Sequence, residues 1–91
     1  MIEGVTVVLS NQLGLHARAA GKIVKIANGS TTKVEITRPS KGLSADARSI
    51  LELLSLGAKH GSTLIVRNME EDGEETARRI VELIEDGFGE G

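Results

Sequence analysis

Two stretches of this chain repeat an apolar residue at positions i, i+3, i+4 and i+7: Ala20, Ile23, Val24 and Ala27, then Ala77, Ile80, Val81 and Ile84. That spacing lines one side of an α-helix, so each segment must lay its stripe on another apolar surface. The remaining segments alternate instead. Val5, Val7 and Leu9 share a face within Glu3 to Ser10, Val34 and Ile36 within Thr32 to Thr37, and Leu64 and Val66 within Thr63 to Arg67. These are strands with one buried side. Arg38-Pro39-Ser40-Lys41-Gly42 is a turn cluster, after which Leu43 to Ala47 reads as a short returning strand. With a short helix after Ser49, the order is β-α-β-β-α-β-α. Two long helices cover only one face of such a sheet. The expected fold is α+β, an open-faced β-sandwich whose four-stranded antiparallel sheet is covered on one face by helices. Its 91 residues make one domain, 1–91.

Local signals set the expected helix boundaries. Asn28-Gly29 predicts a left-handed end to the first helix. Ser49-Ile50-Leu51-Glu52 matches a capping box, and the short helix it opens runs to about Leu56, with Gly57 as its stop. Asp72-Gly73-Glu74-Glu75 resembles a second capping box, Glu74–Arg78 and Glu75–Arg79 are spaced as i,i+4 pairs, and Gly87 to Gly91 reads as a frayed tail. Ile50, Leu51, Leu53, Leu54 and Leu56 cover more than one face of the middle helix. Either that helix is fully buried or part of it is an apolar patch for a partner.

Several functions are excluded at this level. Phe88 is the single aromatic residue and the formal net charge is −2, so neither stacking platforms nor a basic surface are available for nucleic acid. There is no cysteine, and the two histidines, His16 and His60, lie far apart, which speaks against disulfides and a metal site. No signal segment and no apolar run near the length of a membrane span is present, so the expectation is a cytoplasmic protein without membrane contact. His60, in Ala58-Lys59-His60-Gly61, reads as a surface residue.

The chemistry-bearing stretch is Asn11 to Ala20, where His16 stands between an irregular turn and the first helix, with Arg18 two residues on. The first N–H groups of a helix lack intrahelical partners and attract anions, phosphate above all. A histidine there can act as a nucleophile whose phosphorylated ring is held by those amides, and Arg18 adds a forked cationic donor. The plain alternative is a histidine that caps the helix.

Gly14-Leu15-His16-Ala17-Arg18-Ala19-Ala20 resembles the active-site motif of the HPr family, histidine phosphocarriers of the bacterial phosphotransferase system. Arg48-Ser49-Ile50-Leu51 with Leu54-Ser55-Leu56-Gly57 resembles that family's second motif, at the right distance downstream. The resemblance spans nearly the whole chain. It implies that His16 accepts a phosphoryl group on Nδ1 from Enzyme I and passes it to a IIA protein or domain. It implies that the Ala17 and Arg18 amides and the Arg18 side chain bind the phosphoryl group, and that partners dock on Ala17, Arg18, Gly21, Lys25, Ile50, Leu51 and Leu54. Ser49 matches the serine that HPr kinase/phosphorylase modifies in many relatives. No cofactor is implied, and the protein is expected to be a monomer.

Two positions depart from the common pattern: Ala19 stands where proline is frequent, and Asn11-Gln12-Leu13 looks more like the nitrogen-related NPr branch. A Crh-like regulatory module acting through phosphorylated Ser49 is a second class of reading, disfavoured because such relatives lack the histidine that is present here. A free-standing phosphatase is a third, disfavoured because no second acid–base residue is evident near His16 in the sequence.

Overall fold

The computed structural model describes residues 4–90. Strands β1 (Val5–Val8), β2 (Val34–Arg38), β3 (Leu43–Asp46) and β4 (Thr63–Asn68) alternate with helices α1 (Ala17–Ala27), α2 (Ile50–Ser55) and α3 (Glu74–Glu85) in the expected order. All three strand pairings are antiparallel, and the sheet order is β1-β4-β2-β3. Val7 pairs with Leu64, and Ile36 lies between Val66 and Ala45. That register puts all of these apolar side chains on one face, and a slip of one residue would turn a strand's whole set into water.

The three helices cover that face. Val7, Val34, Ile36, Leu64 and Val66 from the sheet, with Leu9 just past β1, meet Ile23, Leu53, Leu56, Ile80, Ile84 and Phe88, all buried. The opposite face carries Thr6, Val8, Thr37 and Ser44 and is open. Val5, the first residue of an edge strand, shares the inner face with Val7, opposite Val66, but is left 47% exposed at the sheet margin.

Several helix ends differ from expectation. Asn28 at the end of α1 is right-handed, and the helix closes through bonds from Gly29 N to Ile26 O and from Ser30 N to Ala27 O. Ser49 Oγ accepts the Glu52 N–H (3.1 Å), but the Glu52 carboxylate accepts from Asp46 N (2.9 Å), not from Ser49. The Ser49 N–H is already given to Asp46 O, so the box closes one turn further back. Among the described residues no side chain caps α3. A 3-10 turn, Glu71–Gly73, leads into it, and a Cβ on Gly73 would come within 2.7 Å of Thr32 Oγ1. Arg78 bonds Glu75 and Glu82 instead of Glu74.

The largest correction lies at Gly87–Gly89, which is a 3-10 turn and not a frayed tail. Phe88 is 1% exposed and left-handed (φ 59°). Burial of that ring, worth about 2–3 kcal/mol, fixes the segment against the domain.

Candidate functional site

β1 ends at Val8, and the chain crosses Leu9 to Leu15 before α1 begins. Leu15 is buried, and its N–H donates to Ala58 O (2.9 Å). Gly14 sits at φ +64°, and a Cβ there would lie 2.7 Å from both Ala58 O and Lys59 Cα. The Asn11 side chain, 3% exposed, donates from Nδ2 to Gly14 O (2.8 Å). His60 Nδ1 donates to Asn11 O (3.1 Å), so this exposed histidine braces the loop as well as meeting water.

His16 follows with extended backbone (φ −93°, ψ 179°) as the residue before α1, and its side chain makes no capping bond. The plain reading of a capping histidine is therefore not what the ring does. Ala20 N, bonded to His16 O, is the first intrahelical donor. Among the described residues, the Ala17 and Arg18 N–H groups have no protein acceptor. The imidazole is 21% exposed, and Arg18 is exposed. Arg18 also lines a cavity of about 270 Å³ together with Asn11, Gln12, Leu13 and Glu90. The half-buried ring thus precedes a helix start whose first amides have no acceptor among the described residues, with the cationic Arg18 in the first turn, an arrangement suited to an oxyanion.

Glu90 completes the site. Its Oε2 lies 2.5 Å from His16 Nε2, and its Oε1 accepts from Asn11 Nδ2 (3.0 Å). The Asn11 bond holds this carboxyl below the ordinary glutamate range against the opposing effect of burial, with His16 and the Arg18 charge adding to the lowering. The expectation that no acid–base group lies near His16 is overturned by this contact. Reading the tail as frayed hid Glu90; the available signal was Phe88, the chain's lone aromatic, which had to be buried somewhere.

The other expected residues divide cleanly. Leu53 and Leu56 are core, while Ile50 (42%), Leu51 (81%) and Leu54 (36%) are exposed. α1 and α2 pack side by side, so exposed Lys25 and half-buried Gly21 are on the helix next to that apolar surface. Among the described residues no atom lies within 4 Å of a Cβ built on Gly21. Ser49 is half-buried at the start of α2. Among the described residues no cluster of three or more metal-ligating side chains occurs, and no helix is long and apolar enough to cross a membrane.

Fold and site together define a class, a small open-faced sandwich with a surface histidine opening its first helix. The chain belongs to the HPr family: a profile described as "PTS HPr component phosphorylation site" matches residues 4–86. The chain is 37% identical over 81 residues to phosphocarrier protein HPr of Cupriavidus necator, covering 89% of each. To phosphocarrier protein NPr of Escherichia coli it is 33% identical over 85 residues, covering 93% of each. A crystal structure of HPr from Thermoanaerobacter tengcongensis superposes with a TM-score of 0.88 at 31% identity, covering 98% of each chain. The protein is accordingly a phosphocarrier of the phosphotransferase system.

Proposed function

We propose that His16 carries the phosphoryl group, on Nδ1. The observation that carries this reading is the ring's place: it precedes an 11-residue helix whose Ala17 and Arg18 amides have no acceptor among the described residues, with the Arg18 charge felt at Glu90, the partner of the ring. Among the described residues Nδ1 makes no hydrogen bond, whereas Nε2 is engaged by Glu90. The lone pair of Nδ1 attacks phosphorus on phosphorylated Enzyme I, itself charged from phosphoenolpyruvate. The donor's bond to phosphorus breaks, and its electron pair returns to the donor. The same group then passes to a histidine of a IIA protein or domain. The helix amides and Arg18 take up the charge that arrives with it.

Docking falls on Ala17, Arg18, Gly21, Lys25, Ile50, Leu51 and Leu54. The support is exposure without structural duty: Leu51 is 81% exposed while its neighbour Leu53 is fully buried. Lys25 and Arg18 give the patch a basic flank that suits acidic partners. Ser49 is the regulatory position. Phosphorylation would take its hydroxyl from the Glu52 cap and put about −2 of charge beside the docking patch, obstructing acidic partners. The protein works as a monomer, in the HPr or the NPr branch of the system. The test is labelling by Enzyme I and phosphoenolpyruvate. The wild type is labelled and His16→Ala, folded as judged by circular dichroism, is not; a labelled His16→Ala protein refutes the reading.

A further inference from the structure

Glu90 lies 74 positions from His16, outside the motif that carries the histidine, yet the fold brings it onto the ring. Three features hold it there. Phe88 is buried, and the chain turns through Gly87 (φ +65°), Phe88 (φ +59°) and Gly89 (φ +73°), sending Glu90 back over the start of α1. Lys22 Nζ, on α1, donates to Phe88 O (2.5 Å). Buried Asn11 donates both to Gly14 O and to Glu90 Oε1, so one amide ties the histidine loop to the carboxylate. An ionised carboxylate only accepts hydrogen bonds, so the proton in its 2.5 Å contact with His16 belongs to Nε2.

We propose that Glu90 is a positioning residue of the phosphoryl-transfer centre: its carboxylate holds the proton on Nε2 of His16 and presents Nδ1, in one ring orientation, as the nucleophile. The proposal rests on the reading of His16 as the phosphoryl carrier. As Nδ1 gives its lone pair to phosphorus, the ring gains positive charge. Glu90 stabilises that charge without taking the proton, as a carboxylate does behind a catalytic imidazole. In the onward step the Nδ1–phosphorus bond breaks and its pair returns to Nδ1. Because the Nε2 proton never left, the departing group is neutral imidazole rather than its anion, and both half-reactions gain from the same contact.

The test compares the full chain with Glu90→Ala and Glu90→Gln, the latter keeping shape but not charge. In ¹⁵N-labelled unphosphorylated protein the wild type shows a protonated Nε2 whose proton resonates at low field and exchanges slowly. Glu90→Ala loses that slowly exchanging resonance while the rest of the spectrum stays folded. Phosphoryl transfer from Enzyme I slows by about 10- to 100-fold in Glu90→Ala, the range seen when the hydrogen-bonded partner of a metal-ligating histidine is removed. KM for Enzyme I is unchanged, and Glu90→Gln falls between. An alanine variant that keeps the wild-type resonance, or that transfers at the wild-type rate, overturns the role given to Glu90. If the wild type itself accepts no phosphoryl group, the reading of His16 falls and takes this proposal with it; a fully active wild type beside an unaffected Glu90→Ala overturns the role of Glu90 alone.

Discussion

Gly14→Ala tests how rigidly the loop bearing His16 is held. Two penalties combine at this position. The backbone is left-handed (φ +64°), which costs an alanine about 1–2 kcal/mol. The new methyl also meets Ala58 O and Lys59 Cα at 2.7 Å, and both are backbone atoms that no rotamer can move aside. Overpacking of that kind adds about 1–3 kcal/mol. The sum is about 2–5 kcal/mol, or a fall in Tm on the order of 10–25 °C for a domain of this size. Gly42→Ala is the control, because Gly42 has nearly the same φ (+63°) but nothing within 4 Å of its Cβ position. It should lose only the backbone term, about 1–2 kcal/mol. Urea denaturation of both variants gives the difference directly. If Gly14→Ala is no less stable than Gly42→Ala, the close approach of the loop to Ala58 and Lys59 is not a constraint, and the account of how His16 is placed fails.

Phe88→Ala should lower stability by about 3–5 kcal/mol in denaturant titrations and release Glu90, read as loss of the slowly exchanging Nε2 proton of His16; retention of that proton would mean that the ring does not anchor the turn. Leu51→Asp should change stability by no more than about 0.5 kcal/mol while weakening binding to Enzyme I in calorimetry, because Leu51 is 81% exposed. An unfolded Leu51→Asp protein would contradict its placement on the surface. Asp46 is lowered from its ordinary value of 3.8: burial works against this and is outweighed by bonds from the Arg48 side chain and N–H, with the Arg48 and Lys33 charges adding. A carboxyl lowered on folding contributes stability above its unfolded pKa and loses it as pH falls through the folded value. The difference in Tm between wild type and Asp46→Asn should therefore be full at neutral pH, begin to shrink near the ordinary value of 3.8 and be gone only below the lowered folded value; a difference that persists in still stronger acid would place its origin elsewhere.

What could be read from residues alone was what a local period or a short motif encodes. The stripes of α1 and α3 and the alternation of β2 and β4 each specify one buried face, and those faces fix an open sandwich with little freedom left. The place of His16 between a turn and the first helix was equally legible, but what set it apart from a capping histidine was the resemblance of Gly14 to Ala20 to the HPr motif. Contacts between distant segments escaped. Asp72 lies inside a 3-10 turn, Glu71–Gly73, instead of capping α3, and Gly73 stands close to Thr32, some 40 residues earlier in the chain. Glu90 escaped because five residues containing three glycines look mobile until Phe88 is seen to occupy the core. The division of α2 into buried Leu53 and Leu56 and exposed Ile50, Leu51 and Leu54 likewise depends on where β3 and α1 stand, which no period within α2 encodes.

Phosphorus NMR of the protein after incubation with Enzyme I and phosphoenolpyruvate addresses the chemistry most directly. A single phosphoramidate signal assigned to Nδ1 of His16, absent from His16→Ala, is the predicted result. Phosphorus on Nε2, on His60 or on any other side chain would contradict it.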